Sequence, residues 1–149
     1  AARKEQFNLT EMLSSLSLLF QSKENVEIHF NTKDEQCILN EDKTQMNRLF
    51  TNLIKNAIEA SSSNAMIEIF ISLECAAGEA LVAIEDKGAG ISQGMQPKIF
   101  TPNFTTKSSG TGLGLAICKG IVENAGGKIW FQTEENKGTT FFVSLPLSV

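Results

Sequence analysis

The sequence DKTQMNRLFTNLIKNAIEA, residues 42–60, places Met46, Leu49, Phe50, Leu53, Ile54, Ala57 and Ile58 at i, i+3, i+4 and i+7 spacings without a break. That stripe predicts an amphipathic helix laid on a core. Asp42 with Gln45 three residues on has the pattern of a capping box and sets the helix start. At about 100° per residue, Asn52, Asn56 and Glu59 fall in one narrow stripe at the margin of the apolar face, with Gln45 in line. Asparagine is a mediocre helix former, so two of them one turn apart beside a buried face are open to two readings. They are either merely solvated or donors to a shared ligand such as a hydrated Mg²⁺.

Upstream, Met12, Leu13, Leu16, Leu19 and Phe20 fall on one face of a helix that Thr10 would cap, and VEIHF alternates like a strand. Residues 1–8 read as a linker remnant. His29, the only histidine, shares a strand face with Glu27 and Asn31, opposite Val26, Ile28 and Phe30, and reads as solvated rather than catalytic. Downstream, MIEIFISL and EALVAIED form a predicted hairpin through CAAG, with Ile67, Ile69 and Ile71 toward the core. The second strand runs into EDKGAGIS, where Asp86 precedes Gly88 and Gly90. This is either a tight turn or a carboxylate that accepts hydrogen bonds from a ligand while glycines let a flat ring lie on the backbone. A dinucleotide fingerprint does not fit, because GAGISQG has three residues rather than two before its third glycine and Pro97 follows soon after.

From residue 92 to 109 the chain is irregular, with Pro97, Pro102 and many Ser, Thr and Gly. A connection of this length is usually functional or disordered, and Phe100 and Phe104 are its expected anchors. SSGTGLGLAICKG, residues 108–120, then puts Gly110, Gly112 and Gly114 just before a helix whose apolar face is Leu113, Ala116, Ile117, Ile121 and Ala125. Glycine costs about 1 kcal/mol inside a helix. A glycine run at a helix start is either a flexible lead-in or a backbone that must approach an anion, most often phosphate. Gly126 and Gly127 stop this helix, and KIWFQT and TTFFVSLP close the chain as a hairpin turning near Gly138.

With 149 residues, 42% of them hydrophobic, the chain is long enough for one domain with a proper core. No apolar stretch approaches the ~20 residues that span a bilayer, and no signal-peptide pattern opens the sequence, so a soluble segment without direct membrane contact is expected. Cys37, Cys75 and Cys118 are far apart and lack metal spacing, as expected of reduced thiols in a cytosolic protein. A net charge of −4 with scattered Lys and Arg argues against a nucleic-acid surface but leaves a single nucleotide open.

Taken in order, NLIKNAIEA, DKGAG, IFTPNFTTK and GTGLGLAI resemble the N box, first glycine box, F box and second glycine box of sensor histidine kinase catalytic domains, within the GHKL ATPase superfamily. The resemblance covers nearly the whole chain, since GTTFFVSLP also matches the closing strand. It implies a two-layer α/β sandwich of the Bergerat type, a mixed sheet with helices on one face. It also implies a domain at 9–149 with a mobile lid at about 92–109, and ATP and Mg²⁺ as cofactors. By the resemblance, Asn56 holds the metal and Asn52 contacts phosphate or metal-bound water, these two being the catalytic pair. Asp86 takes the adenine amino group, Gly88 and Gly90 border the base, and Thr139 supports the adenine end. Lys107 is the phosphate contact from the lid, and Gly110, Thr111, Gly112, Leu113 and Gly114 close over ATP and present amides to its phosphates.

Two departures from the pattern stand out. The family's PFF is Pro102-Asn103-Phe104 here, and no histidine is followed by the acidic, proline-bearing motif of the phosphoacceptor. The resemblance therefore implies transfer of the ATP γ-phosphoryl to a histidine on a separate dimerisation and phosphotransfer domain, with a response regulator receiver domain as the next partner. The implied parent is a homodimer in the cytoplasm, either free or anchored in the inner membrane. A clamp-type ATP hydrolase of the same superfamily carries a glutamate four residues before the metal asparagine, where this chain has Asn52. That hydrolase and a nucleotide-binding scaffold without catalysis are the alternatives.

Overall fold

A computed structural model describes residues 3–102 and 114–148. The segment 42–60 is a helix, α2 (Lys43–Ala60), the third helix counted here being α3 (Gly114–Asn124) and the first α1 (Leu9–Gln21). The strands are β1 (Lys4–Asn8), β2 (Val26–Thr32), β3 (Ile38–Asp42), β4 (Ile67–Ala76), β5 (Glu79–Asp86), β6 (Lys128–Glu134) and β7 (Gly138–Pro146). Five of them form one sheet in the order β2-β4-β5-β7-β6, parallel between β2 and β4 and antiparallel elsewhere. The sheet is mixed, as expected.

Period-two alternation decides which face the helices cover. Val26, Ile28, Ile67, Ile69, Ile71, Ala80, Val82, Ile84, Phe141, Val143 and Leu145 are buried, and the residues between them are mostly half-buried or exposed. Those buried residues form one core with Leu13, Leu16 and Phe20 of α1, Leu49, Phe50, Leu53 and Ile54 of α2, and Cys118 and Val122 of α3. The result is the two-layer α/β sandwich.

The caps follow local chemistry. Asp42 accepts the Gln45 N–H at 3.1 Å at the start of α2. α3 ends on Gly126 at φ +77°, with the Gly127 N–H on the Val122 carbonyl and the Gly126 N–H on the Glu123 carbonyl, a Schellman motif. The β4–β5 turn is Ala77-Gly78, both at positive φ, as a two-residue hairpin of matching twist requires.

Four local expectations need correction. Asn8, not Thr10, caps α1: its side chain accepts the Thr10 N–H at 3.1 Å and the Cys37 N–H at 2.9 Å. Leu19 is 63% exposed, because the buried face of α1 centres on Leu9, Leu13 and Leu16. The buried face of α3 is Cys118, Ile121, Val122 and Ala125, with Ala116 and Ile117 only half-buried. Lys4–Asn8, within the stretch read as a linker remnant, is a strand paired antiparallel with β3, and its Phe7 is buried. That pairing joins residues 30 to 38 positions apart, beyond the reach of local pattern.

Candidate functional site

Asn52 and Asn56 lie in the C-terminal half of α2, both half-buried, with Glu59 exposed one turn on. The α2–α3 contact sits beside them. Cys118 is buried against α2, its thiol 3.7 Å from the Leu49 carbonyl, and burial pushes that thiol up to about 12 despite hydrogen bonding with Asn52 and the charge of Arg48. Asn52 is therefore held at the helix contact rather than freely solvated. Cys118 is one turn from Gly114, the first residue of α3, so that contact also brings Asn52 toward the end of α3 where first-turn N–H groups lack helical acceptors.

Asp86 ends β5 and is 3% exposed. Its Oδ1 accepts the Gly88 N–H at 2.9 Å and the Thr139 N–H at 3.2 Å, the second across the β5–β7 ladder where the two residues face each other. These donors fix the plane of the carboxylate. The following loop is stitched on both sides. Ala89 N–H donates to the Ala60 carbonyl at the end of α2 at 3.2 Å, and the Ala89 carbonyl accepts the Asn136 N–H at 2.6 Å. The Ile91 N–H reaches the Thr133 hydroxyl at 2.9 Å.

Gly88 and Gly90 have a structural reason of their own. A Cβ on Gly88 would run into the Ala60 carbonyl, and one on Gly90, at φ +74°, into the Glu134 carbonyl. Their lack of side chains lets the loop lie against α2 and the β6–β7 hairpin. A Cβ on Gly114 would meet nothing within 4 Å, so packing among the described residues does not demand glycine there.

Thr139 is buried beside Asp86, and its hydroxyl lies 2.8 Å from that of Thr133. Thr133 donates to the Gly138 carbonyl at 3.1 Å, so Thr139 is the donor between the two hydroxyls. Sequence reasoning missed Thr133. Its signal was its position: Thr133 and Thr139 are register partners across the Gly138 turn. Ile99 is buried and Phe100 packs on Phe131 and Phe141 at ring distances of 6.0 and 6.3 Å, so the expected anchor at Phe100 is present. Lys107, Gly110, Thr111, Gly112 and Leu113, with Asn103 and Phe104, lie outside the described residues.

The fold thus gathers Asp86, Gly88, Gly90 and Thr139 at one end of the sheet and ties them to the end of the helix that carries Asn52 and Asn56. Residues 41–149 match the family described as histidine kinase-, DNA gyrase B- and HSP90-like ATPase. The chain belongs to this ATPase family. As an ATPase domain it is similar to Sporulation kinase C of Bacillus subtilis strain 168, 35% identical over 143 residues that cover 93% of this chain and 33% of that protein. It is also similar to the nucleotide-free catalytic domain of histidine kinase ThkA, with a TM-score of 0.86 and 36% identity over 97% of this chain and 95% of that one. A structure of ThkA in complex with response regulator protein TrrA aligns with a TM-score of 0.83 and 34% identity, over 99% of this chain and 42% of that one. The chain is thus an ATP-binding domain of the histidine kinase type, and it spans about a quarter to a third of the length of the curated relatives it matches. Among the described residues no helix is long and apolar enough to cross a membrane.

Proposed function

We propose that this domain serves a cytoplasmic two-component sensor kinase, holding Mg·ATP so that its γ-phosphoryl can pass to a histidine on a separate dimerisation and phosphotransfer domain. The observation that carries this reading is the Ala89–Ala60 hydrogen bond, which ties the turn of the buried Asp86 to the helix of Asn52 and Asn56. The donor types fit the implied groups: carboxamide oxygens suit a hard, partly hydrated cation, and a buried carboxylate suits an amino donor.

In this reading Asn56 holds Mg²⁺ and Asn52 orients phosphate or metal-bound water. Asp86 accepts from the adenine amino group, with Gly88, Gly90 and Thr139 framing that end. Gly114 and the preceding Gly110, Thr111, Gly112 and Leu113 offer amides to the phosphates, Lys107 adds a charge, and 92–109 serves as the lid over the nucleotide. Bound Mg·ATP supplies the phosphoryl group and the cation that offsets its charge. The chain's own residues position and exclude water, and none acts as nucleophile. Asn52, a carboxamide, is no general base, which disfavours activation of water and the hydrolase alternative. The partners are the parent's own phosphotransfer domain, in a homodimeric parent, and a response regulator, which the ThkA–TrrA complex supports by likeness.

The test is labelling with γ-labelled ATP and Mg²⁺. The chain alone is expected to bind nucleotide without labelling itself, and the parent's phosphotransfer domain is expected to become labelled when added. Asn56→Ala should abolish that transfer. Labelling of the isolated chain on His29, or steady ATP hydrolysis without an acceptor, would overturn the reading.

A further inference from the structure

We propose that Glu27, His29 and Glu68 form a binding site for a divalent transition-metal ion of the zinc class on the sheet face opposite the helices. β2 is an edge strand of the five-stranded sheet and runs parallel to β4, with Glu27 directly opposite Glu68 and His29 opposite Phe70. Alternation along β2 puts Glu27 and His29 on one face, two residues apart, and the ladder sets Glu68 beside them. The His29 Nε2 lies 3.4 Å from Glu68 Oε2 and 3.8 Å from Glu27 Oε2, and one donor atom from each of the three residues lies within 4.8 Å of the others. Ligands bound to one tetrahedral zinc at about 2.0–2.2 Å stand roughly 3.3–3.6 Å apart. Only small side-chain rotations separate the present arrangement from that geometry.

Two further features favour a cation there. The imidazole is stacked on Phe70 at 4.7 Å and 15°, which restrains the ring plane while both carboxylates sit near one nitrogen. Two carboxylates directly opposed across a ladder repel each other, and a dication shared between them reverses the sign of that interaction. The nitrogen donor selects zinc and its neighbours over magnesium, which prefers oxygen ligands and keeps its water. Three protein ligands leave one position to water. α2, which carries Asn52 and Asn56, packs on the other face of the sheet, so this site is separate from the nucleotide end. Bound metal would clip the edge strand β2 to β4.

His29 is the only histidine in the chain, so its ring gives a single imidazole signal in a nuclear magnetic resonance spectrum. Titration of the whole chain with zinc chloride is expected to move that signal and saturate near one equivalent, while magnesium at the same concentration leaves it in place. Glu68→Gln and Glu27→Gln should each weaken the effect at least about tenfold, a loss of about 1.4 kcal/mol. The amide spectrum reports whether each variant keeps its fold, and either variant alone suffices. An unmoved His29 ring, with zinc bound elsewhere or not at all, would overturn the site. So would a folded variant that binds as tightly as the unaltered chain.

Discussion

Asp86 shows how a single side chain can be structural and selective at once. Oδ1 holds the Gly88 and Thr139 amides, so Asp86→Asn can keep its remaining oxygen on those donors and turn the other position into an NH₂ group. Adenine presents an amino donor at its six position and guanine a carbonyl acceptor. ATP should therefore bind the unaltered chain at least about tenfold tighter than GTP, since a charge-assisted hydrogen bond is worth roughly 1.5–3 kcal/mol. Asp86→Asn should weaken ATP and narrow that gap. Calorimetric titration showing equal affinities in the unaltered chain would remove adenine from this residue. Glu41 gives a second residue-scale prediction. Burial raises its carboxyl above the ordinary value of 4.5, against a smaller opposing effect of Lys4. The folded chain thus holds that proton more tightly than the unfolded one. The contribution to stability is full below the ordinary value and is lost as pH rises through the folded value, where a charge must be buried. Glu41→Gln should melt higher than the unaltered chain near pH 7, and the difference should close at about pH 4. A difference that does not change with pH would exclude ionisation as its cause.

At the scale of elements, the loop after β5 is tied by backbone hydrogen bonds to two neighbours, and glycine makes both approaches possible. Gly78 and Gly90 separate the two costs of adding a side chain. Both have positive φ, but a Cβ on Gly78 meets nothing within 4 Å whereas one on Gly90 meets the Glu134 carbonyl. Gly78→Ala should lose only the left-handed penalty, about 1–2 kcal/mol. Gly90→Ala should lose a further ~1–3 kcal/mol from overpacking. Urea unfolding of both variants measures the difference, and equal losses would mean that the loop yields without resistance.

For the whole molecule, the small β1–β3 sheet joins the start of the chain to the start of α2. Phe7 is buried in the common core, and Asn8 both caps α1 and holds the Cys37 amide. Burial of a phenylalanine contributes about 1.5–3 kcal/mol and a cap about 1. Removing residues 1–8 should therefore lower the melting temperature by roughly 5–15 °C for a chain of this size. A truncated chain that melts with the full one would show β1 to be an appendage.

Local sequence was enough for α2, its Asp42 cap, the two hairpins, the helix stop at Gly126 and the order of the motifs along the chain. Each of these is written in spacings of a few residues, where period and turn chemistry act locally. Asp86 could be singled out for the same reason, as a carboxylate between a strand and a glycine turn. Packing was needed to show that residues 4–8 are a strand, that Asn8 caps α1, that Leu19 faces solvent and that Cys118 lies at the centre of α3's buried face. It also decided that Gly88 and Gly90 are required by the Ala60 and Glu134 carbonyls, and that Thr133 belongs beside Thr139. These depend on which distant segments meet. Chain periodicity says which face of an element is apolar, but the partner that covers that face, and how closely its backbone approaches, is set only when the layers pack.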